Sequence, residues 1–179
     1  MKSLLLTSLL YLSLLLLNFS VVAQSKPSKP ICNYPVEEDS VFTKQFIFKK
    51  FGVSMELPEN LVSMLRNNGE IEVLDRGTYK MLQCPVNQRL GNGYSSYIIR
   101  WADSTQYQKK LNIKDNVDLL LRSDLIGYKY FYTMILRVVN SKGQKVDIFI
   151  SVDDSIDNNN FEQYKKEYLE LGTKVVIFP

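Results

Sequence analysis

The chain has 179 residues, of which 22 are basic and 19 acidic, and its formal net charge of +3 is too small to predict nucleic-acid binding. It contains no histidine, which excludes Ser-His and Cys-His nucleophilic catalysis, histidine-ligated zinc and histidine general bases. Carboxylate pairs of the kind that hydrolyse glycosides remain open as a catalytic chemistry.

Residues 1–23 have the pattern of a secretory signal peptide. Lys2 precedes an apolar stretch from Leu4 to Leu17, and Val21 and Ala23 stand at the −3 and −1 positions of a cleavage site. The apolar stretch is shorter than the roughly 20 residues that a membrane-spanning helix needs. We therefore expect cleavage after Ala23, no transmembrane segment in the mature chain, and a secreted or periplasmic location.

Residues 24–41 are rich in proline, lysine and serine and lack an apolar period, which predicts an extended leader. The leader contains Cys32, and the only other cysteine is Cys84. In an oxidising compartment a disulfide between the two is the default, with free cysteines or a reactive thiol as the alternatives. The disulfide would tie the leader to the body of the fold.

Residues 42–179 predict a single α+β domain, with a mainly antiparallel sheet of about six to eight strands and two helices on one face. The run from Phe42 to Pro58 predicts two short strands, separated at Gly52 by a bulge or a turn. Further strands are predicted at residues 77–84, 93–101, 128–139 and 174–178.

Two stretches predict hairpins with three-residue loops that end in a left-handed glycine. The loops are Asn67-Asn68-Gly69 and Ser141-Lys142-Gly143. This loop length places apolar residues opposite apolar ones and polar residues opposite polar ones. The predicted pairs are Leu65 with Ile71, Leu136 with Ile148, Val138 with Val146, and Arg137 with Asp147.

Two segments have the periodicity and caps of amphipathic helices. Residues 112–124 offer Asn112 as the N-cap and a stripe of aliphatic side chains. Residues 160–172 offer Asn160 as the N-cap and Gly172 as the stop.

An alternating run of oxygen-bearing residues resembles part of a calcium-binding loop. Asp153, Ser155 and Asp157 occupy the first three ligand positions, but position 6 is Asn158 rather than glycine and position 12 is Tyr164 rather than glutamate. The three residues are therefore a calcium candidate, with a polar loop that feeds the following helix as the alternative.

The chain has eleven tyrosines and one tryptophan. Tyr97 and Trp101 share one face of a predicted strand, where they could stack on a sugar ring or meet a protein partner, with core packing as the alternative. No catalytic pair is assigned, because the carboxylates of this half of the chain are expected at strand ends and on solvated faces. These carboxylates are Glu56, Glu59, Glu70, Glu72 and Asp75.

The stretch from Phe48 to Cys84 reads FKKFGVSMELPENLVSMLRNNGEIEVLDRGTYKMLQC. It resembles the central segment of small secreted cyanobacterial proteins of uncharacterised function, which combine P-E-N, M-L-R-N-[ND]-G and V-L-D-x-G motifs before a cysteine. Its opening is also similar to PsbP-like lumenal proteins, in which P-x-x-W follows the strand; here Leu61 and Val62 stand in place of the tryptophan. The first resemblance implies no activity, and the second implies a photosynthetic accessory in the thylakoid lumen.

Together these patterns predict a secreted, non-enzymatic binding or structural module with an unknown protein or glycan partner and no cofactor. The alternatives are a carboxylate-dependent enzyme acting on glycans and a PsbP-like photosynthetic accessory protein.

Overall fold

A computed structural model of the chain describes residues 32–89, 96–150 and 156–179, which contain eleven strands in two antiparallel sheets and two α-helices. The predicted α+β class and mainly antiparallel architecture are confirmed. The strands are β1 Thr43–Phe48, β2 Val53–Pro58, β3 Leu61–Leu65, β4 Ile71–Asp75, β5 Tyr97–Trp101, β6 Lys109–Lys114, β7 Val117–Ile126, β8 Lys129–Val139, β9 Lys145–Ile150, β10 Ile156–Asp157 and β11 Val176–Ile177. The helices are α1 Arg76–Gln83 and α2 Phe161–Lys174.

The large sheet has the order β3-β4-β5-β9-β8-β7-β6, with β10 beside β8, and the small sheet has the order β1-β2-β11. One face of the large sheet carries residues such as Ile99, Ile148 and Leu136, which the strand register aligns in a row. These residues form one core with Met55 of the small sheet and Tyr168 of α2. The small sheet and α2 therefore cover this face, whereas α1 contacts β3 and β4.

Both predicted hairpins are confirmed in register. Leu65 pairs with Ile71 in the first, and Leu136, Arg137 and Val138 pair with Ile148, Asp147 and Val146 in the second. The closing glycines Gly69 and Gly143 have φ of 85° and 74°, a region that strains most residues with a Cβ. Gly52 likewise forms the turn between β1 and β2, as predicted.

The helix predicted at residues 112–124 is wrong, because this stretch forms the end of β6, a turn at Asn116 and most of β7. Ten residues of β7 pair with β8, and Leu119, Leu120 and Leu121 are all buried. A strand buried on both faces has consecutive apolar residues, and over a short window such a run also matches the apolar stripe of a helix. Asn112 caps no helix; its Nδ2 donates to Asp118 Oδ1 at 3.2 Å.

The strand predicted at residues 77–84 is also wrong, because this segment forms α1. Asp75 is its N-cap, and its Oδ1 accepts the N–H of Thr78 at 3.0 Å. Gly77 lies against the carbonyl of Pro35 in the leader, where a Cβ would collide. Gly77 is therefore required by a tertiary contact with the leader, which local sequence does not reveal.

The predicted C-terminal helix is confirmed as α2, but it runs two residues past Gly172 and ends at Lys174. Gly172 is instead the point where the helix touches Ile113 of β6 and Leu136 of β8, so its small size serves packing. The final predicted strand is shorter than expected, and β11 adds to β2 of the small sheet.

The predicted disulfide between Cys32 and Cys84 is present. The described part of the leader, from Cys32 to residue 41, has no strand or helix and is fixed to the body by backbone donors. Cys32 N–H donates to Gln88 O at 2.8 Å, and Glu37 N–H donates to Asp75 Oδ1 at 3.0 Å. The predicted signal peptide and residues 24–31 lie outside the described residues. Within the described ranges, no helix has the length and apolarity to cross a bilayer.

Candidate binding site

Tyr97 and Trp101 share one face of β5, as predicted, and this face also carries the buried Ile99, but the two aromatics line different cavities. They are four positions apart, which is about 13 Å along a strand. Tyr97 lines a cavity of about 300 Å³ together with Glu167 and Glu170 of α2. Trp101 lines a cleft of about 240 Å³ at the end of the strand. The structure therefore does not join the two aromatics into one site.

Burial raises the pKa of Tyr97 to about 12, and the negative charges of Asp39 and Glu167 add to the effect. Its hydroxyl is therefore a neutral group at physiological pH. A hydroxyl that stays neutral because it is buried is typical of a side chain packed at the edge of the core rather than of a reactive group.

Of the calcium candidates, Asp153 and Ser155 lie outside the described residues. Asp157 closes a local turn, in which its Oδ1 accepts the N–H of Asn159 at 2.8 Å and its Oδ2 accepts Asn159 Nδ2 at 3.2 Å. The described residues contain no cluster of three or more acidic, cysteine or histidine side chains suited to a metal ion.

The Trp101 cleft combines an indole ring with charged and amide side chains. Trp101 is 37% exposed, and its ring meets that of Phe51 edge-on, with 4.8 Å between the centroids and 60° between the planes. The side chains that line the cleft with it are Asn68, Glu70, Arg100 and Asp103, together with Gly69. The indole is thus held from one side by the core and open on the other.

The polar groups of the cleft are already oriented by one another. Arg100 Nη2 donates to Asp103 Oδ2 at 2.9 Å, and its Nη1 lies 3.7 Å from Glu70 Oε1. The guanidinium also stacks over the ring of Phe149 at 4.5 Å. Hydrogen bonds from Thr105, followed by the charge of Arg100, lower the pKa of Asp103, so this carboxylate is an acceptor over the whole physiological pH range.

The turn between β3 and β4 places the side-chain amide of Asn68 in the lining of the same cleft. Asn68 Nδ2 donates to Glu70 Oε2 at 2.7 Å, and Asn68 Oδ1 accepts the N–H of Glu70 at 3.1 Å. Lys50 Nζ donates to the carbonyl of Gly69 at 2.5 Å, which ties the turn to the segment after β1. The loop chemistry that fixes the hairpin register therefore also orients two side chains that line the cleft, Asn68 and Glu70.

A larger cavity of about 600 Å³ lies against the same hairpin and shares Asn68 and Glu70 with the cleft. We call the cleft and this cavity together the hairpin groove. The larger cavity is lined by the polar residues Arg66, Asn67, Asn68, Glu70, Glu72 and Arg89 and by the apolar residues Met64, Leu65 and Leu82.

The disulfide holds one wall of the groove. Arg89 donates from Nε to Cys84 O at 2.8 Å and from Nη2 to Leu82 O at 2.6 Å. Residue 89 also forms a backbone bridge with Cys32. The covalent link thus acts on both sides of Arg89 and restricts where its side chain can lie.

Two carboxylates expected at strand ends or on solvated faces are buried. Glu72 is 8% exposed in the middle of β4 and pairs with Arg66 Nη2 at 2.5 Å. Asp75 does end its strand, but it is 2% exposed as the cap of α1. Burial alone would raise the pKa of Asp75, but hydrogen bonds from Thr78, Glu37 and Gly77 outweigh it and lower that pKa.

The hairpin groove is suited to binding rather than to covalent chemistry. Its carboxylates are engaged by arginines or by Asn68. The rest of its lining consists of other polar groups, three apolar side chains and one aromatic ring. Sequence reasoning identified Trp101 but missed Arg66, Arg89 and Arg100. The adjacency of Arg100 to Trp101 and the Asn-Asn-Gly turn were available as local signals. Comparison of the chain with protein-family models and with curated proteins finds no match in either, so the chemistry of the groove carries the functional argument.

Proposed function

We propose that the protein is an exported, non-enzymatic binding module whose ligand is a saccharide and whose binding site is the hairpin groove. The observation that carries the proposal is the Trp101 cleft, where a partly exposed indole stands beside Asn68, Glu70, Arg100 and Asp103.

The chemistry of a sugar ring matches this arrangement. A pyranose has a face of C–H groups that packs on an aromatic ring and a rim of hydroxyls that both donate and accept hydrogen bonds. Trp101 offers the aromatic surface, Glu70 and Asp103 accept, and Arg100 donates. Ligand sites commonly combine such an apolar surface with a few fixed polar groups.

Preorganisation favours binding in the same groove. The contact with Phe51 fixes the indole, the pair with Asp103 fixes Arg100, and the turn fixes Asn68. Side chains that are already ordered lose little entropy when a ligand arrives. Export is supported by the disulfide, which persists in oxidising compartments, and by the signal-like residues 1–23.

The test uses the single tryptophan of the chain as a reporter. Neutral, amino-sugar and uronic-acid oligosaccharides are titrated into the protein while the emission of Trp101 is recorded. We expect a saturable change with one class of sugar. The absence of any change in emission and of any heat in calorimetry, at millimolar sugar from all three classes, contradicts the proposal.

Two variants locate the binding. Trp101→Ala abolishes the calorimetric signal and Trp101→Phe weakens binding without abolishing it, because the smaller ring keeps part of the stacking surface. Tyr130→Ala is the control, since this exposed aromatic lies outside the groove. Release of new reducing ends that is lost in Glu72→Gln would instead identify a carboxylate-dependent enzyme.

A further inference from the structure

The hairpin between β7 and β8 extends beyond the strands that flank it. On one side, β6 pairs with β7 only as far as Leu121, and the side chain of Gln108 then takes the place of a strand by bonding both Ser123 N–H and Ser123 O at 2.7 and 3.1 Å. On the other side, β10 pairs with β8 only at Phe131 and Tyr132. Residues 125–130, which we call the arm tip, therefore have no neighbouring strand among the described residues.

The arm tip is apolar and exposed. Its exposed fractions are 59% for Leu125, 63% for Ile126, 104% for Tyr128 and 47% for Tyr130. Gly127, with φ of 63°, forms the turn that brings Ile126 opposite Lys129. Soluble surfaces rarely gather large apolar side chains in this way without a binding role.

Apolar side chains lie on both faces of the arm tip. Leu125 pairs with Tyr130 on the face that continues the core, whereas Ile126 lies on the opposite face, since alternate residues of a strand point to opposite sides. A partner that packs on one face would leave the other in water. A medium that surrounds the end of the arm covers both.

The size of the arm tip also favours such a medium. A stable protein interface uses about 20 to 30 residues from each partner, whereas the arm tip has six. A lipid surface requires no matching shape, and tyrosine and lysine are the residues that lie at its boundary, with the ring or stem in the apolar layer and the polar end in water.

The charge of the arm tip is complementary to anionic headgroups. Lys129 is its one charged residue. The nearest carboxylate along β7, Asp124, is paired with Arg122, whose Nε and Nη2 both lie 2.9 Å from Asp124 Oδ2. Asp157 pairs with Phe131, which lies three residues from Tyr128, or about 10 Å along the strand from the turn at the end of the arm. The outermost charge is therefore positive.

We propose that the arm tip docks end-on into the surface of an anionic lipid bilayer, with Leu125, Ile126 and Tyr128 in the apolar boundary layer and Lys129 at the headgroups. This proposal is independent of the saccharide site, which uses other residues.

The first test measures sedimentation of the full protein with vesicles of phosphatidylglycerol and phosphatidylethanolamine, and with vesicles of phosphatidylcholine alone. The arm variant is Leu125→Ser/Ile126→Ser/Tyr128→Ser, and the matched control is Val41→Ser/Phe42→Ser, which removes exposed apolar residues elsewhere. All proteins are the exported form that begins at Gln24, so the apolar stretch from Leu4 to Leu17 does not contribute to vesicle binding. We expect the partition coefficient of the arm variant to fall at least tenfold and that of the control to be unchanged.

The second test reports on the arm directly. In a Trp101→Phe background, Tyr128→Trp places the only tryptophan at the turn, and we expect its emission to shift to the blue with anionic vesicles and to be quenched by brominated lipid. Lys129→Glu should weaken binding to the anionic vesicles alone. Equal sedimentation of the wild type and the arm variant overturns the proposal. Self-association that the arm variant loses, without vesicle binding by the wild type, overturns it in favour of a second copy of the chain.

Discussion

Removal of the charge of Asp147 tests how the outer face of the large sheet is stabilised. Arg137 donates to Asp147 from Nε at 2.8 Å and from Nη2 at 2.9 Å, and the carboxylate side chain is fully buried. These hydrogen bonds, which outweigh burial, raise the pKa of Arg137. Strand register places Asp118 on one side of the pair and Arg100 on the other, so the face carries alternating charges across four strands.

Asp147→Asn keeps the volume of the side chain but leaves Arg137 without its counter-charge. Loss of one partner from a buried ion pair costs about 3 to 5 kcal/mol. The side chain of Arg137 is 16% exposed and lies 5.6 Å from the ring centroid of Tyr107, so we expect the lower end of that range. At about 2 to 4 °C per kcal/mol for a domain of this size, a loss of about 3 kcal/mol lowers Tm by about 6 to 12 °C.

The assay is thermal and urea unfolding, with Asp124→Asn as the matched control. The pair of Asp124 with Arg122 is 46% and 40% exposed, so its loss should change the free energy of unfolding by less than about 1 kcal/mol. The double variant Arg137→Leu/Asp147→Leu should recover most of the stability, because neither charge of this pair is then left buried without its partner. Equal, small effects of Asp147→Asn and Asp124→Asn would refute the reasoning.

Two further predictions concern the disulfide and Tyr97. Cys32→Ser/Cys84→Ser opens a link across 52 residues and should lower the free energy of unfolding by about 4 kcal/mol in urea titrations, relative to the oxidised wild type; a loss under about 1 kcal/mol would contradict this. The pKa of Tyr97 is raised to about 12 in the fold, whereas an unfolded tyrosine titrates near about 10. The contribution of neutral Tyr97 to the free energy of unfolding is therefore complete below about pH 10 and is lost as the pH rises toward about 12. Tyr97→Phe should therefore flatten the fall in stability over this window, and an unchanged slope would contradict the prediction.

The hairpin registers could be predicted from sequence because two local rules agree. Gly69 and Gly143 fix the loop length, and one length alone sorts polar and apolar residues onto separate faces. The helix predicted at residues 112–124 was wrong because, over a short window, Asn112 and a leucine-rich stripe are compatible with both a helix and a strand buried on both faces. Pairing with β8 decides between them, and that is a long-range contact.

The groove could be predicted only in part. Trp101 was visible as the lone tryptophan on a strand, but the three arginines around the groove are far apart in the chain. Arg66 reaches it by hairpin register, Arg100 by the pairing of β5 with β4, and Arg89 through the disulfide. The register that places Arg66 follows from local rules, but the placements of Arg100 and Arg89 depend on long-range contacts, so the full composition of the groove becomes visible only once the sheet order is known.

The two proposed surfaces lie at opposite ends of the large sheet, and this separation can be tested. Trp101 pairs with Val146, and Val146 pairs with Val138, at the end of β8 that is remote from Tyr128. Ten residues of strand span about 33 Å, so a protein docked by its arm tip holds the Trp101 cleft well beyond the headgroups and open to soluble ligand. In the wild type, vesicles should therefore leave the emission of Trp101 and its affinity for saccharide unchanged. Competition between vesicles and saccharide would mean that lipid enters the cleft, which would overturn end-on docking while leaving the cleft as a binding site.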